Sequence, residues 1–172
     1  WDDFWLNAGF TTYFENRIME RLYGERRARQ EHALGFAEVE ETIAERGATA
    51  NVTRLHLPAG EDNPDGGEGA IIYSKGANFL HTMESLVGRE RWDSWLRNWF
   101  DNHAFQPATS AMLLADLRAN LVRGDAALEQ RLMLTDWIYG PGLPANVARP
   151  DPAAFADVDR AVASFARSGA VE

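Results

Sequence analysis

A mainly α fold follows from three features of this chain. Apolar residues recur at three- to five-residue steps over most of its length, glycines stand where each such run stops, and two-residue alternation is scarce. The first run, Phe4 to Tyr23, carries Phe4, Trp5, Ala8, Tyr13, Ile18, Met19 and Leu22 and stops at Gly24. A second runs from Glu25 to Arg46 with Leu34, Phe36, Val39 and Ile43 among many charges and stops at Gly47, a C-cap position. Its carboxylates Glu38, Glu40, Glu41 and Glu45 read as the solvated face of an amphipathic helix.

Residues 48–68 hold Pro58, Gly60, Asn63, Pro64, Asp65, Gly66 and Gly67, so a long loop without helix is expected. Within it Val52 to Leu57 is the sole candidate strand. A third helix is predicted from Ala70 to Val87, with Gly88 as its stop and Tyr73 in its first turn. Arg89 to His103 places Trp92, Trp95, Leu96 and Trp99 in one stripe, the pattern of a core face. Thr109 or Ser110 caps a helix from Ala111 to Leu121, and Asp125 starts another toward Ile138, ended by Gly140-Pro141-Gly142-Leu143-Pro144. The alanine-rich pattern from Ala154 to Ala166 reads as the first element of a following segment, which divides the chain into residues 1–146 and 147–172.

The chain has 172 residues, enough for one domain with a core, and its 45% hydrophobic and 25% charged residues match a globular protein. A net charge of −9 and a pI near 4.9 oppose binding to nucleic-acid phosphates or anionic lipids, and no apolar run is long enough to span a bilayer. With no cysteine there are no disulfides or thiolate sites, and nothing marks a compartment. Bulky Trp1, Phe4 and Trp5 at the amino end are unusual for an exposed terminus and suggest a piece of a longer protein.

Composition carries chemistry only a short way. None of His32, His56, His81 and His103 lies in a His-Glu-x-x-His pattern, so no zinc site is encoded. His81 and Glu84, three apart on a predicted helix, read as a surface contact. Gly66-Gly67-Glu68-Gly69 lacks the strand, helix and lysine of a phosphate loop. On the first helix Ala8, Thr12 and Glu15 share a face, and Thr12 with Glu15 reads as a buried hydrogen-bonded pair.

Four strings take the reading further. Trp5-Leu6-Asn7-Ala8-Gly9-Phe10-Thr11-Thr12-Tyr13-Phe14-Glu15 resembles the WLNEGFxxYxE segment of the gluzincin-type zinc aminopeptidases, the family that includes leukotriene hydrolase, aminopeptidase B and alanyl aminopeptidase. Tyr73-Ser74-Lys75-Gly76 resembles its YEKG, Leu86-Val87-Gly88 its LxG helix end, and Trp137 through Pro144 its WxYxPGLP, all in the same order. The resemblance implies the helical, C-terminal lobe of a thermolysin-like metallopeptidase catalytic domain, with the zinc-binding helix and the substrate-amine strand before residue 1.

In such an enzyme the glutamate of WLNEG is the third zinc ligand, and here that position is Ala8, whose methyl group offers no lone pair. Glu15 matches a glutamate that would orient a zinc-bound histidine. Tyr73 matches the tyrosine that donates to the developing oxyanion, although Ile72 and Ser74 replace the proline and glutamate that usually flank it. The expectations are zinc and a peptide substrate in the intact enzyme, an upstream catalytic segment as partner, and no zinc and no activity in this chain alone. The alternatives are a non-catalytic peptidase-like scaffold that binds or docks, with an acidic surface suited to cationic peptides, and a self-standing bundle that must cover Trp1, Phe4 and Trp5.

Overall fold

The computed structural model describes residues 1–58, 60 and 69–169, which form eight α-helices and no strand among the described residues. Helix α1 spans Trp5–Tyr23 and α2 spans Glu25–Arg46; Gly24, at φ 85°, turns the chain between them. A single 3-10 turn, Asn51–Thr53, lies where no helix was expected, and the predicted strand Val52 to Leu57 does not form. Its extended part finds separate partners instead of a ladder: the His56 N–H donates to the Ile138 carbonyl, and the Leu57 N–H to that of Asp2. The glycine string at 66–68 lies outside the described residues.

The third predicted helix forms in two parts, a π-helical turn Ala70–Lys75 that runs directly into α3, Gly76–Val87. α4 spans Arg89–Asn102. α5, Ser110–Asp116, is capped by the Thr109 hydroxyl, which accepts from the Met112 N–H, and widens into a second π-helical turn at Leu117–Val122. The single helix expected from Asp125 to Ile138 is two, α6 (Ala126–Leu132) and α7 (Leu134–Tyr139), because Met133 takes a left-handed conformation at φ 49°. α8 is Ala156–Ser168.

The core takes up most of the predicted apolar faces, but Ile18 and Leu22 on α1 and Leu34 on α2 are exposed against expectation. Trp92, Trp95, Leu96 and Trp99 are buried as a stripe, joined by Phe79, Leu80, Met83, Leu113, Leu117 and Trp137. Trp5, on the predicted apolar face of the first helix, is fully buried within this chain and needs no outside cover. Its indole N–H donates to the Ser110 hydroxyl at 2.9 Å and its ring meets Phe79 edge-on. Of Trp1, Phe4 and Trp5, only Trp1 is largely exposed. Helix α8 buries no residue of its own and is tied to α2 by Arg26 with Asp157, while Gln30 donates to the Ala154 carbonyl just ahead of it.

Candidate functional site: a helix crossing that gathers four sequence segments

Helix α1 and the start of α3 cross with their backbones in contact. A Cβ built on Gly9 would lie 2.8 Å from the Gly76 Cα, and one built on Gly76 would lie 2.8 Å from the Gly9 Cα. Only a glycine pair permits this approach. It brings Ala8 and the turn bearing Tyr73 to the same crossing, one from each helix.

The four residues from Tyr73 to Gly76 divide their directions. Tyr73 is 43% exposed, the Ser74 hydroxyl donates to Glu38 on α2 at 3.1 Å, Lys75 points inward, and Gly76 makes the crossing. Lys75 is wholly buried, and its Nζ donates to the Thr53 carbonyl at 2.7 Å and the Gly140 carbonyl at 3.2 Å. Burial pulls its pKa from the ordinary 10.5 down to about 7. Gly142, at φ 68°, donates its N–H to the Thr53 hydroxyl at 2.8 Å. The Trp137 to Pro144 segment is therefore tied to the Tyr73 to Gly76 segment through one lysine. Trp137 anchors its own end, donating to Asn146, whose amide caps the Arg131 and Leu132 carbonyls.

A polar network closes the far end of α1. The Tyr13 hydroxyl donates to Glu84 and accepts from the Trp92 indole at 2.8 Å and from Arg17, which also pairs with Asp93. Burial and the adjacent Glu84 push the Tyr13 phenol far above its usual range, so it is a structural donor. Glu84 accepts from Arg89 as well, and Arg89 forms a bidentate pair with Glu20. At the other end, burial opposes the Asp3 carboxylate, yet hydrogen bonds from Ser110 and His56 hold its pKa below the ordinary value.

Two sequence expectations change here. Glu84 is buried and engaged by Tyr13 and Arg89, and His81 packs against the His32 ring with centroids 4.3 Å apart, so the two do not form a surface contact. Glu15 is exposed and makes no hydrogen bond with Thr12, so that pair is not buried. Lys75, Tyr13 and the two glycines were missed as site-builders. The glycines left a signal, since both sit inside helical patterns where glycine is costly. Ala8 is 2% exposed, and among the described residues no three of His, Cys, Asp and Glu stand together as metal ligands. The donors present do not fit a zinc ion.

The description "Peptidase family M1 domain" matches residues 1–133. The chain belongs to peptidase family M1. It is 33% identical over 150 residues to leucine aminopeptidase 2 of Phaeosphaeria nodorum, which covers 84% of this chain and 23% of the relative. Identity of 30% extends over 149 residues to a leukotriene A-4 hydrolase homolog of Botryotinia fuckeliana, covering 85% of this chain and 23% of that relative. Native yeast LTA4 hydrolase superposes with a TM-score of 0.79 at 25% identity, over 98% of this chain and 27% of that one. An M1 zinc metallopeptidase mutant from Deinococcus radiodurans, bound to a Tyr-Ser-Ala substrate, superposes with a TM-score of 0.64 at 25% identity, over 88% and 30%. The M1 chain described here thus has the helical lobe of a thermolysin-like metallopeptidase and spans about a quarter of the length of the relatives it matches.

Proposed function

We propose that this M1 chain is the C-terminal helical part of the catalytic domain of a zinc aminopeptidase that removes N-terminal residues from peptides. In this reading Tyr73 is the catalytic residue, a neutral hydroxyl that donates to the oxyanion as charge develops on the first peptide carbonyl. Glu15 is a positioning residue for a histidine contributed from before residue 1. Residues 1–146 form the lobe and 147–172 begin the next segment, in keeping with the small attachment of α8. The observation that carries the reading is the Gly9–Gly76 crossing, which sets position 8 beside the turn that bears an exposed Tyr73. Zinc belongs to the intact enzyme, and because Ala8 supplies no ligand the chain alone is expected to be inactive.

A second reading, a peptidase-like scaffold that binds without cleaving, draws on Ala8 itself, which packs into the core at 2% exposure. The two part on the full polypeptide. With glutamate at position 8 and a His-Glu-x-x-His helix upstream, the enzyme retains zinc and hydrolyses aminoacyl nitroanilides, whereas Glu→Ala at that position loses both. On the glutamate background Tyr73→Phe lowers kcat about a hundredfold with zinc content unchanged. Hydrolysis unaffected by Tyr73→Phe sinks the catalytic role, and an upstream sequence without the histidine motif favours the scaffold.

A further inference from the structure

Tyr73 has no side-chain anchor of its own. Its ring is partly exposed, and among the described residues its hydroxyl takes part in no hydrogen bond. What aims it is therefore the backbone that carries it, the π-helical turn Ala70–Lys75. Such turns bond five residues apart, occur mostly singly and are frequent at functional sites. The helix is regular again from Gly76, so the widened turn is confined to the residues around Tyr73. A turn that reverted to α geometry would re-aim the side chains within it, and something must hold it as it is.

Three consecutive residues tie the turn down, and they differ in what they fix. Gly76 touches Gly9, which sets how near α1 and α3 come but offers no side chain to set rotation. The Ser74 hydroxyl makes one bond, to Glu38 on α2. Lys75 reaches through the core to two separate segments, its Nζ 2.7 Å from the Thr53 carbonyl and 3.2 Å from that of Gly140. Those segments are themselves joined, because the Thr53 hydroxyl accepts from the Gly142 N–H at 2.8 Å and donates to the Ala50 carbonyl at 2.7 Å. The amine thus sits in a cradle that is closed behind it. Burying an amine is a costly way to fill such a volume, and a methionine would fill it without the desolvation penalty. A methionine would not fix the direction of the turn, because hydrogen bonds are directional and apolar contact is not.

We propose that Lys75 is a positioning residue for Tyr73: by clamping the π-turn to the Thr53 and Gly140 carbonyls it fixes where the Tyr73 hydroxyl stands, and so how well that hydroxyl meets the oxyanion. The inference rests on the reading of Tyr73 as the oxyanion donor and adds to it the part that aims the donor. Such a donor works over a narrow range, roughly 2.7–3.1 Å from the oxyanion. A displacement of about 1 Å costs on the order of a hundredfold in rate. Lys75 is wholly buried and touches no substrate, so its effect on the reaction passes through Tyr73 alone. The Thr53 side chain belongs to the same device at one remove, since it closes the cradle.

The test is a double-mutant cycle in the full polypeptide with glutamate at position 8. Lys75→Met should lower kcat at least about tenfold with KM and zinc content unchanged, yet by less than about twofold on a Tyr73→Phe background. Thr53→Val keeps the lysine and deletes the hydroxyl that closes the cradle; it should show the same dependence on Tyr73 at smaller size, and it decides the matter if Lys75→Met does not fold. Misfolding of a fraction of the molecules would multiply with Tyr73→Phe, so equal losses on the two backgrounds overturn the proposal, as does a Lys75→Met enzyme with unchanged kcat. The turn itself is read without turnover by labelling the 172-residue chain with 3-fluorotyrosine. The Tyr73 fluorine line, identified by its absence from Tyr73→Phe, should move or split in Lys75→Met while the line of exposed Tyr23 stays. A Tyr73 line that does not move overturns the clamp. If Tyr73→Phe itself keeps full kcat, the catalytic reading falls and the proposal with it, and a moved fluorine line then places the fault in that reading and not in the clamp.

Discussion

Gly9→Ala should cost about 3 kcal/mol or more, the upper range of overpacking penalties. The new methyl would sit 2.8 Å from the Gly76 Cα and 3.0 Å from its carbonyl carbon, both backbone atoms that cannot swing aside. Relief requires α1 and α3 to separate, and Lys75, next to Gly76, holds the α3 side to two other segments. Gly69→Ala is the control. That glycine has helical dihedrals, φ −53° and ψ −49°, and open space where a Cβ would go, so alanine there should be neutral or stabilising by up to about 1 kcal/mol. Urea unfolding of both variants separates the effects, and a Gly9→Ala midpoint equal to that of the parent would refute the crossing.

The second large effect is a stability that rises with pH through the neutral range. Lys75 has a folded-state pKa of about 7 against an unfolded value near 10.5. Between those values the unfolded chain binds more protons than the folded one, so unfolding free energy climbs as pH increases from 7 toward 10 and is lowest below 7. At about 1.4 kcal/mol per pH unit the full swing is a few kcal/mol. The geometry suits the neutral amine, which keeps two N–H groups for exactly two acceptors, the Thr53 and Gly140 carbonyls. Tyr13, with its raised pKa, adds an opposite dependence only above pH 10. Lys75→Met should flatten the rise between pH 7 and 9.5, and a rise that survives the substitution would assign it elsewhere.

Helix periods and their stops were legible because they are local. Gly24, Gly47 and Gly88 adopt positive φ values of 85°, 96° and 86° at the ends where they were read as stops. The break at Met133 was illegible, since methionine carries no signal for a left-handed turn and tertiary packing holds it there. The partner of Trp5 was illegible because Ser110 stands 105 residues away. The inward course of Lys75 was illegible, since no local pattern reveals that two irregular segments each bring it a carbonyl. His32 and His81 meet only because α2 and α3 flank one cleft. Of the candidate site, the strings were visible from the residues and the contacts among them were not.

The contact between Gly9 and Gly76 changes what a pair of matching strings is worth. Each glycine is the far half of the other, so finding both amounts to detecting a single packing event twice, and their joint appearance is correlated by construction. Lys75 couples the Trp137 to Pro144 string to them in the same way. Such matches can outlast the loss of a reactive group, because the forces that keep them act on the backbone crossing and are indifferent to whether position 8 bears a carboxylate or a methyl. Shared strings of this kind therefore speak first for a shared backbone crossing and only second for a shared reaction.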